Sequence, residues 1–480
     1  MDEPAMYVCT VPADGEPQKD RNSSPDSIDH VAAKPARVLS LTRFVVLSFF
    51  LTCGGPFGLE EAIGAGGVAY CLVGLALLPF VWAIPQSLMT AELSTMMPEN
   101  GGSYLWVWRA LGDFAGFVNA YLSLFTSLFD MCLYPNLIAA YLPESSGFLL
   151  RYAVKVSILA AVSVCNIFGL ELVGNVSIVL LCLSMSVFLA EIPFAIHEFS
   201  PVGWAKVPEN RDWGLMASVL LWSNTGWDAL GSVAGEVSDP AGTYPLGIAL
   251  ALIASTCAYV GPIIINYALL PDPARWRADA FYDAALRVSP WVALWMRAAC
   301  ALCNIGQLNA GIASTSRRLW AMAVPADRIG ISARTMPKFM STLSRGHGTP
   351  RNAILVQLLV TSIIVIGDFS ELVQIEMLLN CCCLLLEFSA FMVLKYTEPL
   401  APRPYVVPYG VAGAWTITLI KTGVVMVIIA SSVAKSPFKL VATLITVFLV
   451  AILFKVLKYF NLLEPRLTPE DEDNSSQPLI

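Results

Sequence analysis

Runs of apolar residues, separated by short polar connections, recur along the chain from about residue 42 to residue 460. A helix needs about 20 predominantly apolar residues to cross the hydrocarbon core of a bilayer, so each run predicts a membrane-spanning helix. The predicted spans are 42–66, 68–92, 114–141, 151–171, 174–196, 213–237, 246–270, 290–319, 352–368, 371–394, 411–433 and 438–459. The pattern therefore predicts an all-α polytopic membrane protein with twelve transmembrane helices.

The first and the sixth predicted helices are interrupted near their middle. In the first, the glycine-rich stretch 54–58 precedes Glu60 and Glu61, and in the sixth the stretch 223–226 precedes Trp227 and Asp228. Glycine, proline, serine and asparagine are poor helix formers. Unwound backbone is tolerated at membrane depth only where it is buried in protein or lines a cavity. Two such breaks, five helices apart, indicate two repeats with a binding site at the breaks.

Acidic residues in the predicted spans outnumber the bases that could neutralise them. The acids expected near mid-membrane include Glu60, Glu61, Asp130 and Asp228. If unpaired near mid-membrane they would cost about 10 kcal/mol or more together. Arg297 and Lys421 are the candidate bases within the spans. This imbalance favours either protonation of the acids or a cationic substrate.

Each of these residues also has a purely structural interpretation. Glu60 and Glu61 would stand at the start of a half-helix, where free N–H groups and the helix dipole favour an acid, and Asp228 could be a second cap of this kind. Trp222 and Trp227 flank the sixth-helix break. They are either packing aromatics or the wall of a site for an alkylammonium group, which aromatic rings attract.

Two further helices place polar side chains on one face. Asp130 and Tyr134 are four residues apart in the third helix and so share a face; Tyr134 is either an interface aromatic or part of the site. Glu376, Asn380 and Glu387 fall on roughly one face of the tenth helix. Glu387 lies well inside a predicted span, where it is either a proton acceptor or a satisfied buried acid.

The composition excludes several other classes of protein. Hydrophobic residues make up 56% of the chain and charged residues 14%, and the net charge of −7 is spread over tails and loops, which suggests no nucleic-acid partner. The three histidines lack metal-ligand spacing, and the glycine-rich stretch follows an apolar helix rather than a strand, so no metal, nucleotide or other cofactor is expected. Most of the 12 cysteines lie in apolar segments rather than in a disulfide framework. The sequence indicates no enzyme.

Charge and composition also predict boundaries and orientation. Residues 1–40 and 461–480 are polar and predict disordered tails around a transporter domain at 41–460. The connection after the eighth helix is the densest basic segment and is expected to face the cytoplasm, which places both termini there. Its basic residues are Arg317, Arg318, Arg328, Arg334, Lys338, Arg345 and Arg351.

Four stretches of the chain resemble the amino acid–polyamine–organocation superfamily, and within it the plant and protist polyamine uptake transporters, which are close to the L-type amino acid transporters. These stretches are GGPFGLEEAIGAGG, AELSTMMPENGGSYLWVWRALG, WSNTGWDALGSVAGEVSDPAGTYP and LLLEFSAFMVLK. The likeness covers about residues 40–460. It implies a LeuT-like fold of five-plus-five inverted repeats followed by two further helices, with alternating access and uptake driven by a proton gradient.

The resemblance also implies a set of site residues. The substrate-binding candidates are Gly54, Gly55, Gly58, Glu60, Glu61, Asp130, Tyr134, Trp222, Asn224, Trp227 and Asp228. Glu387 and Glu236 are the candidates for proton coupling. The loop LPESSGFLL between the third and fourth helices has no cysteine, so no disulfide-linked heavy chain of the L-type kind is expected. The plasma membrane is the expected location, with the lipid bilayer as environment.

Three functions remain open at this point. A proton-coupled importer of polyamines such as putrescine and spermidine needs separated anions and apolar walls. An amino acid permease or exchanger of the same fold would bind the substrate carboxylate at the N–H groups of the first break, where Glu60 and Glu61 would repel it. A channel or a non-transporting receptor is the third possibility, although two broken helices favour alternating access.

Overall fold

The computed structural model of the chain describes residues 37–143, 145–324, 335–344, 346–435 and 437–459. The α-helices in these ranges are α1 (Leu41–Thr52), α2 (Glu60–Gly66), α3 (Val68–Leu78), α4 (Ile84–Met96), α5 (Ser103–Ala140), α6 (Phe148–Ile167), α7 (Leu170–Glu198), α8 (Trp213–Trp222), α9 (Pro240–Leu269), α10 (Ala280–Leu286), α11 (Pro290–Ala323), α12 (Arg351–Ile364), α13 (Phe369–Thr397), α14 (Gly410–Lys435) and α15 (Pro437–Tyr459). A π-helical turn at Pro79–Ala83 joins α3 to α4, and 3₁₀-helices cover Asp228–Glu236, Pro273–Arg275 and Lys338–Ser341.

The prediction of an all-helical, polytopic protein is confirmed. Each of the twelve predicted segments falls on one helix or on consecutive helices. Within the described ranges, seven helical stretches are long and apolar enough to cross a membrane. They are Val68–Met96, Ser103–Ala140, Phe148–Ile167, Leu170–Glu198, Pro240–Leu269, Glu371–Thr397 and Gly410–Ala430. Residues 1–36 and 460–480, which hold most of the predicted tails, lie outside the described ranges.

Helix α5, the longest of the described helices, packs along α13 and α11. It begins at Ser103, but non-helical backbone at Gly112 (φ 79°) divides it into a short first segment and a long second one, and this break lies close to the predicted start at residue 114. The last residues of the predicted amino-terminal tail are ordered as well. Leu39 is fully buried, and its N–H donates to the carbonyl of Glu236 at 2.9 Å.

The first helix is interrupted where the sequence predicts. It ends at Thr52 and helical structure resumes at Glu60. Gly54 has φ +68°, and a Cβ there would come within 2.0 Å of the Gln307 side chain, so only glycine fits. Gln307 donates from its amide nitrogen to the freed carbonyl of Cys53 at 2.8 Å. The unwound backbone is therefore satisfied by protein, as membrane depth requires.

The sixth helix is interrupted in the same way, between Trp222 and Asp228, where it continues as a 3₁₀-helix. Gly226 has φ +88°, and a Cβ there would lie 2.2 Å from the carbonyl oxygen of Leu51. The two interruptions therefore touch through their backbones, and glycine permits the contact.

The hydroxyl of Tyr259, from α9, contacts the backbone of both interruptions. Its single O–H proton makes a short hydrogen bond to the carbonyl of Ser223, and the carbonyl oxygen of Thr52 lies 3.3 Å from the same hydroxyl. One carbonyl group from each break thus lies beside the same tyrosine hydroxyl.

The assignment of Arg317 and Arg318 to a cytoplasmic loop is wrong. Helix α11 continues to Ala323, and both arginines are buried in it, with 3% and 2% of their surface exposed. The apolar residues that follow them keep the helix inside the protein, so the arginine pair does not mark the end of the span. Arg328, Arg334 and Arg345 lie outside the described residues.

Candidate functional site

A cavity of about 60 Å³ lies between the two helix interruptions and helices α5, α11 and α13. The charged and amide side chains that line it are Asp130, Asp228, Glu376, Arg318, Gln307 and Asn380. Serine and threonine side chains from α5, α11 and the second interruption complete its polar surface. Three acids and one base therefore face a single cavity beside unwound backbone.

Asp130 is held by two aromatic side chains of the predicted site. The phenol of Tyr134, one turn away on α5, donates to one carboxylate oxygen at 2.6 Å. The indole N–H of Trp222, the last residue of α8, donates to the other at 3.0 Å. The i, i+4 relation predicted the first contact, whereas the second depends on how α8 packs against α5. All three side chains line the cavity.

Asp228 is reached by one amide and one guanidinium. Gln86, from α4, donates to one oxygen of Asp228 at 2.8 Å, and an Nη atom of Arg318 lies 3.8 Å from the other. Lys421, one of the two predicted bases, donates to Gln86 at 2.9 Å and lies 3.2 Å from the centre of the Trp82 ring. The lysine is therefore linked to Asp228 only through an amide.

Arg318 is the base that lines the cavity, and the sequence interpretation missed it. Its guanidinium donates to the carbonyl of Ser123 at 3.0 Å and to the hydroxyl of Ser127 at 3.1 Å, both on α5. A weaker contact of 3.4 Å reaches the hydroxyl of Ser232. The apolar residues after Arg318 were a usable signal, since they extend the helical pattern beyond the predicted end at residue 319.

Glu376 and Asn380 bring a fourth helix, α13, to the cavity. Glu376 is 2% exposed, and one of its carboxylate oxygens has no hydrogen-bond partner among the described residues; the same is true of the amide nitrogen of Asn380. The sequence placed both on one face of a helix but did not include them among the binding candidates. The rotation of α13 about its own axis, which turns this face toward the cavity, depends on how the helix packs against its neighbours.

The acids of the first interruption do not line this cavity. The carboxylate of Glu60 turns back on its own chain and accepts the N–H of Gly58 at 2.5 Å. Glu61 is likewise absent from the lining. The bond made by Glu60 agrees with the structural interpretation of that residue, because free N–H groups near the start of a half-helix attract a carboxylate.

The glycines of the first interruption shape the backbone instead of lining the cavity. Gly55 and Gly58 have φ of +122° and +100°. A Cβ on Gly58 would lie 3.1 Å from the ring of Trp222, and one on Gly55 would lie 2.6 Å from the sulfur of Cys303. Their small size lets neighbouring helices pack closely around the break.

Asn224 and Trp227 also lie behind the cavity wall. Asn224 donates to the carbonyl of Leu220 at 3.0 Å, one turn earlier, so its amide closes the end of α8. Trp227 is 1% exposed and belongs to the apolar core, where its indole N–H has no partner among the described residues.

The two candidates for proton coupling have different surroundings. Glu236 forms a buried ion pair with Arg317 through both carboxylate oxygens and also accepts from the amide of Asn100 at 3.0 Å. Glu387 is fully buried, and neither of its oxygens has a hydrogen-bond partner in the described part of the chain. Glu236 is thus already paired with an arginine of α11, whereas the carboxylate of Glu387 has no such pairing among the described residues.

The remaining predicted base does not reach the cavity. The guanidinium of Arg297 lies 3.7 Å from the centre of the Tyr282 ring, in a cation–π contact. Arg297 was expected to be a partner for the acids, but the base that lies near them is Arg318, which the sequence interpretation had placed in a loop.

Comparison with known proteins shows which family this chain resembles. The family model described as amino acid permease matches residues 45–452. The polyamine transporter PUT1 of Oryza sativa subsp. japonica is 34% identical over 407 residues, which cover 83% of this chain and 75% of the rice protein. The polyamine transporter RMV1 of Arabidopsis thaliana is 31% identical over 416 residues, 83% of each chain. A probable polyamine transporter of Arabidopsis thaliana is 31% identical over 439 residues, 90% of this chain and 85% of the relative.

Proposed function

This chain belongs to the amino acid permease family of integral, multi-pass membrane transporters, and we propose that it imports polyamines of the putrescine and spermidine class. In this proposal the import is proton-coupled symport by alternating access. The relatives named as polyamine transporters support the substrate class, and the cavity between the two helix interruptions supplies the chemistry.

The observation that carries the proposal is the excess of acids in the cavity. Asp130, Asp228 and Glu376 line it, and Arg318 is the base among the lining residues. Buried charges are retained in membrane proteins where they pair with one another or with a ligand. Ammonium groups on an alkyl chain would supply the missing partners.

The walls of the cavity suit the alkyl part of such a substrate. Trp222 and Tyr134 present aromatic rings, 6.4 Å apart between centres, on the side where Asp130 lies. An aromatic face attracts an ammonium group and also covers methylene groups. Leu51 and Met131 add apolar surface to the same lining.

Glu60 argues against an amino acid as the substrate. An α-carboxylate in this fold would be expected at the free N–H groups of the first interruption. There the N–H of Gly58 already donates to the carboxylate of Glu60. A substrate carboxylate would have to displace that contact and would then lie beside the carboxyl group of Glu60.

We assign proton coupling to Glu387. It is buried in α13, the same helix that carries Glu376 to the cavity. The two residues are eleven positions apart, which is about 16 Å along a helix axis. A proton taken up by Glu387 can therefore change how α13 packs without occupying the substrate cavity.

The proposal extends to the arrangement of the whole chain. We assign the twelve predicted segments to twelve membrane spans, the first ten as two inverted repeats of five, with both termini in the cytoplasm of a plasma-membrane protein. A cavity of this size holds only a few water molecules. Entry of a diamine then requires the helices to move apart, which alternating access supplies.

Uptake into proteoliposomes tests the proposal. The purified protein is reconstituted, and uptake of labelled putrescine, spermidine, arginine and leucine is measured with and without an inward proton gradient. We expect both polyamines to enter, and the rate to rise when the outside is acidified, because the gradient then drives symport. Counterflow of labelled putrescine is expected as well, since a carrier shows it and a channel does not.

Three results would contradict the proposal in different ways. Entry of leucine without competition from spermidine would identify an amino acid permease. Polyamine uptake that is indifferent to the proton gradient would replace symport by exchange or facilitated diffusion. Polyamine uptake without counterflow would identify a channel.

A further inference from the structure

We infer that Arg318 sets the number of positive charges that the site prefers in its substrate, so that a diamine is favoured over a triamine. The inference rests on the proposed function, because it names the charge class within the polyamines. It uses a charged cavity residue to which neither the break pattern nor the family resemblance pointed.

The formal charges in the cavity leave a deficit of two. Asp130, Asp228 and Glu376 contribute three negative charges, and Arg318 contributes one positive charge. Neither Glu387 nor Lys421 belongs to the lining of the cavity. The space is therefore complementary to a ligand with two ammonium groups, whereas a third ammonium would meet the guanidinium.

Arg318 is held in place by protein groups other than the acids. One of its terminal nitrogens donates both to the carbonyl of Ser123 and to the hydroxyl of Ser127 on α5, and 2% of the residue is exposed. A guanidinium fixed in this way does not depend on the acids of the cavity for its position.

The contact between Arg318 and Asp228 is loose. The nearest nitrogen and oxygen are 3.8 Å apart, and no hydrogen bond joins them. The neighbouring Arg317 differs, because it donates hydrogen bonds to both carboxylate oxygens of Glu236. Asp228 thus keeps an oxygen available for an ammonium group, while Arg318 lowers the negative potential of the whole space.

Charge-matched variants test this inference. Spermidine and putrescine uptake are compared in Arg318→Gln, which removes the charge, and in Arg318→Lys, which retains it. We expect wild type to favour putrescine, and Arg318→Gln to raise the ratio of spermidine to putrescine kcat/KM by about tenfold, because one repulsive unit charge at close range is lost. Arg318→Lys is expected to keep the ratio near that of wild type.

Arg297→Gln provides the matched control, because this arginine stacks on Tyr282 outside the cavity; its ratio is expected to equal that of wild type. Glu376→Gln changes the cavity charge in the opposite direction and is expected to lower the ratio of spermidine to putrescine. If a variant binds but does not turn over, ligand-induced shifts in melting temperature of the purified protein give the same comparison. If Arg318→Gln does not fold, Glu376→Gln alone decides.

An unchanged ratio in Arg318→Gln, or an equal rise in Arg318→Lys, would overturn the inference while leaving polyamine transport intact. An unchanged ratio in Glu376→Gln would do the same. A wild-type protein that transports neither polyamine would instead remove the proposed function on which the inference rests.

Discussion

The two helix interruptions have similar sequences and different uses. Each follows an apolar half-helix, depends on a glycine with positive φ and is followed by an acid. At the first, Glu60 bonds the backbone N–H of Gly58 and stays outside the cavity. At the second, Asp228 makes no bond to the backbone of its own break and faces the cavity beside Gln86 and Arg318.

The difference between them shows what directs a buried carboxylate. An acid turns to the nearest unsatisfied N–H when one is within reach, because a buried N–H without a partner costs about 1–3 kcal/mol. In the second interruption, the N–H groups of Ser223, Asn224 and Thr225 already donate to carbonyls of α8. Asp228 instead accepts a hydrogen bond from the side-chain amide of Gln86 and faces the cavity.

The contact between the two interruptions can be broken at Gly226. Alanine there would place its Cβ 2.2 Å from the carbonyl oxygen of Leu51, in a backbone conformation with φ +88°. The positive φ alone costs about 1–3 kcal/mol for an ordinary residue. We expect Gly226→Ala to abolish uptake through loss of folded protein, measured as membrane expression and gel-filtration profile.

The matched control for this change is Gly261→Ala, since that glycine lies inside α9, where a Cβ would meet open space. It is expected to express and transport like wild type. Normal expression of Gly226→Ala would mean that the two breaks need not touch.

Asp228→Asn tests the acid of the second interruption, which faces the cavity. The substitution keeps the shape but removes one negative charge and leaves Arg318 without its counter-charge. We expect putrescine uptake to fall at least about tenfold, because one unit charge acts on the ammonium group at close range, with normal membrane expression. Initial uptake rates in proteoliposomes measure the effect.

Glu171→Gln is the control for Asp228→Asn, because Glu171 is an exposed partner of Arg43 at 2.8 Å, and surface pairs of this kind contribute little. Uptake at the wild-type rate in Asp228→Asn would remove this residue from the site.

Trp222→Phe tests whether the second interruption also positions Asp130. The ring is kept while the indole N–H, 3.0 Å from the carboxylate, is lost. A hydrogen bond to a charged group contributes about 1.5–3 kcal/mol. Because Tyr134 still holds Asp130, we expect a smaller effect, a rise of about threefold to tenfold in KM for putrescine with kcat nearly unchanged.

Trp204→Phe is the comparison for this variant, since the indole N–H of Trp204 has no partner among the described residues. Its KM is expected to equal that of wild type. An equal rise in both variants would assign the effect to packing.

Glu60→Gln is expected to have the smallest effect on transport. The amide oxygen can still accept the N–H of Gly58, as a carboxylate oxygen does, and the side chain lies outside the cavity. We expect KM for putrescine to change less than about twofold, which is under 0.5 kcal/mol. A tenfold loss would place Glu60 on the substrate path and make the two interruptions equivalent.

Much of the fold followed from local properties of the sequence. The breaks at Gly54 and Gly226 were predictable because poor helix formers clustered within an apolar run weaken the helix at that point. The contact between Asp130 and Tyr134 followed from their spacing on one helix. Arg318 was missed because two arginines after an apolar run were interpreted as the end of a span, although α11 continues past them.

The sequence by itself determined the helical, membrane-embedded character of this protein, the places where two helices break and the surplus of acids, because hydrophobicity, backbone freedom and charge belong to individual residues and their neighbours in the chain. Only the tertiary structure decided which acids share a cavity. That depends on the rotation and packing of α5, α8, α11 and α13, which bring Asp130, Asp228, Glu376 and Arg318 together from distant parts of the chain and turn Glu60 away.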